Sequence, residues 1–194
     1  MLRARYQSDK IKRDAFIKQC NPRSFDFQIA TWFGSGLIIP APGTWGTLGG
    51  IIFSTILYFF TNPFILFLAS IILFWVGLQS VKRIEEKLDN HDPSFIVIDE
   101  VAAIVFIMSL DFWLIDWLWD NAIRGDIPAI ILFISFLLFR FYDAKKPWLI
   151  GIADRKIKGA WGVMIDDLIA AIFTIITALI TFLVLYILAM FNMH

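Results

Sequence analysis

The chain has 194 residues, 59% of them hydrophobic, a mean hydropathy of +0.73 and a formal net charge of zero. That apolar content exceeds the roughly 45–50% of soluble domains, which excludes an ordinary water-soluble globule, and the balanced charge offers no general field for nucleic acid. Cys20 is the only cysteine, so an internal disulfide and a thiolate metal cluster are excluded as well.

Residues 1–24 carry Arg3, Arg5, Lys10, Lys12, Arg13, Lys18 and Arg23 against Asp9 and Asp14, without the apolar core of a signal peptide. They read as a basic cytoplasmic arm. Phe25 to Ile39 is apolar but short and interrupted by Gly34 and Gly36, which predicts an interfacial or re-entrant segment. "PAPGTWGTLGG" then supplies a turn feeding a helix, and the first apolar span runs from about Trp45 to Phe60. Asn62-Pro63 turns the chain into a second span, Phe64 to about Val81.

The third span starts at Asp99 and fades into "DFWLIDWLWD", where tryptophans alternate with acids as at a membrane interface. A fourth is expected from Ile127 to Tyr142 and, after a polar loop from Asp143 to Gly162, a fifth from Asp166 to about Met190. The pattern predicts an all-α polytopic membrane helical bundle. It has about five apolar spans plus the short N-terminal segment, in one domain over 25–194.

Of the 17 Lys+Arg residues, seven lie in the N-terminal arm, three in 82–92 and six in 140–162, whereas 111–126 holds only Arg124 against Asp111, Asp116, Asp120 and Asp126. The positive-inside rule places the three basic segments in the cytoplasm. Alternating spans then bring Gly43-Thr44, His91-Asp92, Asp99-Glu100, Arg140-Asp143-Lys146 and Asp166-Asp167 to that same face.

Two acid pairs stand out, in "VIDEVAAIVF" and "MIDDLIAAIF". A carboxylate at a helix N-terminus gains about 0.3–1 kcal/mol from the macrodipole, so one pair could mark only the water interface. Ala103 and Ala170, however, lie on the acid-bearing faces at i+3 and i+4, and small residues in lipid mark helix contacts. The acids are expected to point into the bundle, where several carboxylates stay ionised only beside a cation; all-oxygen ligation suits Mg²⁺ or Mn²⁺.

Arg140, Asp143 and Lys146 fall on one helical face if the helix persists to Pro147, with Arg140 suited to a bidentate phosphate contact and Lys145 to a headgroup anchor. Thr44 is expected as an N-cap beside free backbone N–H groups that could cradle phosphate. Gly46, Gly50 and Ser54 form a small-residue stripe for close packing. His91 reads as an ordinary loop histidine.

The collinear motifs "FGSGL", "PAPGTWGTLGG", "HDPSFIVIDE", "FRFYDAKKPW" and "ADRKIKGAWGVMIDDLIAA", from Phe33 to Ala171, resemble the phosphatidylglycerophosphatase A family of bacterial membrane phosphatases. Departures from its pattern are Ala103, Ala160 and Ala171 where glycine is usual, Thr47 where serine is, and Leu149 where proline is common. The resemblance implies an Mg²⁺-dependent hydrolase of the terminal phosphomonoester of phosphatidylglycerophosphate, acting at the cytoplasmic face of the bacterial inner membrane. It also implies that Asp99, Glu100, Asp143, Asp166 and Asp167 are the catalytic acids, with Asp99, Glu100, Asp143 and Asp167 holding metal and Arg140 and Lys146 on the phosphate. Another lipid phosphate is the alternative substrate. A transporter is disfavoured, because the acids sit at span ends and the chain shows no repeated halves.

Overall fold

The computed structural model describes residues 2–88, 95–120 and 127–192, excepting the side chains of 2–5, 127 and 185–192. His91-Asp92 and Arg124, expected in loops, lie outside the described residues. The chain forms α1 (Leu2–Gln19), α2 (Phe25–Ala30), a 3₁₀ turn (Ser35–Leu37), α3 (Pro42–Phe60), α4 (Pro63–Glu85), α5 (Ile98–Asp120), α6 (Ile127–Lys145), α7 (Trp148–Lys156) and α8 (Ala160–Asn192). No strand occurs among the described residues.

Among the described residues, four helices are long and apolar enough to cross a membrane: α3, α4, α5 and Ala160–Val184 of α8. The fourth expected span coincides with α6, whose last six residues include Arg140, Asp143 and Lys145 and so end it on charge. Outward faces are apolar, as lipid requires, with Phe59, Ile72, Phe133 and Leu183 exposed. Tryptophans mark both ends. Trp113, Trp117 and Trp119 are exposed toward the C-terminus of α5; Trp45 lies at the opposite end, where Trp75 of α4 also meets Trp161 of α8 edge to face at 5.8 Å.

Local chemistry starts and stops these helices. Asn62 caps α4, its side chain accepting from the Ile65 N–H at 3.1 Å with Pro63 following, and Lys82 and Arg83 complement the dipole in the last turn. Between α2 and the 3₁₀ turn, Trp32, Phe33 and Gly34 all take positive φ, which breaks the segment into pieces of six and three residues. Neither piece is long enough to cross a bilayer, in keeping with the expected interfacial or re-entrant segment. The arm is helical and ends against the core, where Phe16 stacks on Phe27 at 5.4 Å. Cys20 is buried there; burial raises its thiol, opposed by nearby Lys87, so it packs as a small apolar side chain.

α5 is the axis of the bundle, packed against α3, α4, α6 and α8, and Val101, Ile104, Val105, Ile107 and Met108 are fully buried along it. The small-residue stripe of α3 faces it. Gly46, Gly50 and Ser54 are buried, and a Cβ at Gly50 would run into Ile104.

Two expectations about the α6–α8 region need correction. Residues 143–162 are not one polar loop: α7 forms within them and buries Ile150, Gly151 and Ala153. α8 begins at Ala160 rather than Asp166, because Gly159 at φ 67° turns the chain and helix-compatible residues follow at once.

Candidate active site

Five elements meet at the end of the bundle marked by Trp45, Trp75 and Trp161. Asp99 and Glu100 occupy the first turn of α5, as expected for residues at a helix mouth. Asp166 and Asp167 do not: they are the seventh and eighth residues of α8, so the macrodipole does not account for their charge. The early start of α8, six residues or about 9 Å, lets its second turn lie level with the first turn of α5.

Glu100 and Asp167 are buried and Asp143 half-buried, and each offers one carboxylate oxygen such that the three atoms lie within 4.8 Å of one another. Asp99 and Asp166 stand beside this triad rather than in it. Arg140 ties the cluster together: its guanidinium donates to Glu100 Oε1 at 2.9 Å and to Thr47 Oγ1 at 3.3 Å and forms an ion pair with Asp143 Oδ2 at 2.7 Å. The Arg140–Asp143 contact is the i, i+3 pair that the sequence predicts.

Lys146 departs from that expectation. α6 ends at Lys145, and Lys146 adopts φ 43° ahead of Pro147, which removes it from the helical face. Its ammonium instead bridges Asp154 Oδ1 at 2.6 Å and Asp166 Oδ2 at 2.5 Å, joining α7 to α8. Burial alone would lower the ammonium, but hydrogen bonds to Asp154 and Asp166 outweigh it, holding Lys146 above the ordinary lysine value and fully charged.

Thr44 is not the N-cap of α3. Pro42 takes the first helical position with Ala41 in the cap conformation, so Thr44 is the third residue, half-buried, its N–H already donated to Ala41 O at 3.1 Å. The turn serves the site differently: a Cβ on Gly43 would overlap the Glu100 carboxylate, and one on Gly46 would meet Val97 and Glu100 Oε2. The glycines let α3 lie directly over the acid pair. Gly43→Ala is therefore expected to displace Glu100 and lower turnover by about 10–100-fold, at about 1–3 kcal/mol of overpacking. Turnover at saturating substrate beside thermal melting measures both; unchanged turnover would show that Glu100 need not hold this position.

Sequence reasoning missed two contacts. Thr47 sits at i+4 from Gly43, donates to its carbonyl at 2.9 Å and accepts from Arg140; its signal was a hydroxyl on the glycine-bearing face. Asp154 depends on α7 folding back to Lys146, and no periodicity announces that.

The site fits a cation. Asp99 Oδ1, Glu100 Oε2, Asp166 Oδ1 and Asp167 Oδ2 are buried with no hydrogen-bond partner among the described residues. Carboxylate oxygens left so in an apolar interior are costly, and a hard divalent ion satisfies several at once.

Fold and site together define a membrane helical bundle with a buried carboxylate and arginine cluster at one end. The phosphatidylglycerophosphatase A family model matches residues 28–182. The chain is 36% identical over 148 residues to a phosphatidylglycerophosphatase A of Haemophilus influenzae, covering 76% of this chain and 83% of that protein. It is 32% identical over 158 residues to a phosphatidylglycerophosphatase A of Escherichia coli, covering 80% and 81%. A Bacteroides thetaiotaomicron protein described as "Putative phosphatidylinositol-3-phosphatase" is 34% identical over 155 residues, covering 76% and 87%. No solved structure matches. The chain belongs to the phosphatidylglycerophosphatase A family, a family of phosphatases, as its motifs led us to expect.

Proposed function

We propose that this protein is an Mg²⁺-dependent lipid phosphatase that hydrolyses the terminal phosphomonoester of phosphatidylglycerophosphate to phosphatidylglycerol and phosphate. The observation that carries the reading is the convergence of Glu100, Asp143 and Asp167 around unpartnered buried oxygens, with Arg140 in the same cluster. Glu100, Asp143 and Asp167 would hold the ion, with Asp99 completing its surroundings. Bound there, the ion would neutralise phosphate charge as the ester bond breaks.

The chain's own groups divide the rest of the work. Arg140 carries the positive charge nearest the triad and can turn a donor toward the phosphate. Lys146 holds Asp166 in place and adds a second cation beside it. Asp99 and Asp166 both keep an unpartnered Oδ1, but Asp166 is tied through Oδ2 to Lys146, which leaves Asp99 as the acid to take a proton from the attacking water. The water oxygen forms the new bond to phosphorus, the bond to the glycerol oxygen breaks, and that oxygen takes a proton from solvent.

The basic residues of 1–24, 82–88 and 140–158 support placing this end at the cytoplasmic face of the bacterial inner membrane. The basic arm over 1–24 would lie along that face, with 25–194 forming the catalytic domain.

The test is phosphate release by purified protein in detergent, with Mg²⁺ and with chelator. We expect release from phosphatidylglycerophosphate that chelator abolishes and Mg²⁺ restores; release insensitive to chelator would overturn the metal site. The Bacteroides relative makes phosphatidylinositol 3-phosphate the necessary second substrate. A higher kcat/KM on that lipid would transfer the reading to it.

A further inference from the structure

α4, α5 and α8 meet closely at Gly77, where a Cβ would come within 2.8 Å of Ile98 Cγ1 and 3.2 Å of Met164 Cε. Just past that contact a cavity of about 110 Å³ separates the same three helices, with Asp99 at one end. Phe67 and Phe74 of α4, Ala102, Ala103 and Phe106 of α5 and Met164 of α8 line it. Asp99 to Phe106 is seven helical residues, about 10 Å, so the cavity descends from the acid cluster into the apolar thickness of the bundle.

Its lining gives water little to hold. The polar side chains are Asp99 and Ser70, and the Ser70 hydroxyl already donates to Phe67 O at 2.7 Å. Beyond Asp99, a cavity so lined favours apolar matter over water. Its volume equals three to four water-sized groups at about 30 Å³ each, room for a length of one hydrocarbon chain and not for a headgroup. Ile71, on its rim, is exposed at 41%, so the cavity opens toward lipid.

We propose that this groove between α4, α5 and α8 binds an acyl chain of the lipid substrate, holding the molecule so that its phosphate meets the acids above. The proposal rests on the lipid phosphatase reading for the identity of the chain's owner. Continuity with Asp99, whose Oδ1 is buried and unpartnered, distinguishes the groove from ordinary lipid-facing surface. Small side chains at Ala102 and Ala103 keep it open.

Two readouts test it. In the first, Ala103→Leu fills the groove, and Ile71→Trp, at the exposed rim where the fold tolerates bulk, is carried in parallel. With dioleoyl phosphatidylglycerophosphate, KM is expected to rise about tenfold while kcat changes less than twofold; with the deacylated headgroup, kcat/KM stays unchanged. Equal losses on both substrates, or no change on either in folded protein, would overturn the groove. In the second, a phosphatidylglycerophosphate carrying a diazirine in one chain is photolysed with the full-length protein. Label is expected within 67–74 and 102–106, to be lost in Ala103→Leu and displaced by unlabelled substrate but not by phosphatidylcholine. Label spread over the outer faces of α3, α4 and α8, or displaced equally by both lipids, would leave only ordinary boundary lipid and overturn the proposal. Should wild type release phosphate from no lipid, the enzymatic reading fails, and photolabelling judges the groove without turnover.

Discussion

Asp167→Asn is expected to lower phosphate release by at least about 10³-fold while leaving the bundle at least as stable in chelator as the wild type. The residue is 3% exposed, it belongs to the triad with Glu100 and Asp143, and its Oδ2 has no partner among the described residues. An amide of the same shape removes one charge from a ligand set that must offset a divalent ion, and electrostatic groups at a reacting phosphate contribute orders of magnitude. Stability should move the other way in the metal-free protein, because the change takes a desolvated charge out of a crowd of like charges. Melting followed with and without Mg²⁺ separates the two effects. Wild type should gain about 2.7 kcal/mol at an Mg²⁺ concentration 100 times its Kd, and Asp167→Asn should gain little. Loss of activity with a full Mg²⁺-dependent gain would move the ion away from Asp167 and leave that residue some other role.

The division between what the sequence disclosed and what it withheld follows from the range of the interactions involved. Hydropathy and small-residue spacing are local, so α3, α4 and α5 were legible, as were the Arg140–Asp143 pair and the glycines that bring α3 onto α5. The second acid pair was visible for the same reason, though its place in α8 was not. Its helix starts two turns earlier, in residues whose mixed polarity resembles a loop, and helical geometry there is settled by the Gly159 turn and by α7 packing on α8. Lys146 was misplaced because its partners, Asp154 and Asp166, are chosen by tertiary geometry once the left-handed residue before Pro147 lifts it from the helix. Thr44 missed the cap because α3 begins a few residues earlier than expected, at Pro42. Chemistry-bearing residue types were readable throughout; which of them touch depended on the starts and stops of two helices.

Arg140→Met should be the most damaging of these single changes to the fold, and it should lower activity as well. The guanidinium pairs with two carboxylates from different helices, Glu100 of α5 and Asp143 of α6, and Lys146 is no substitute for it, being committed to Asp154 and Asp166. Removing it leaves two acids in an apolar setting beside Asp167. Breaking a fully buried pair costs about 3–5 kcal/mol; with 23% of the Arg140 side chain still exposed, about 2–3 kcal/mol is the reasonable expectation. Turnover should fall by at least about 10²-fold, because the proposed function sets the same group against the phosphate. A double-mutant cycle tells structural pairing from catalysis: adding Glu100→Gln to Arg140→Met should restore part of the lost stability by deleting the more buried of the two stranded charges, yet restore no activity. If the double variant regained turnover along with its melting temperature, Arg140 would be a packing partner of Glu100 alone, and the charge that meets the phosphate would have to come from Lys146.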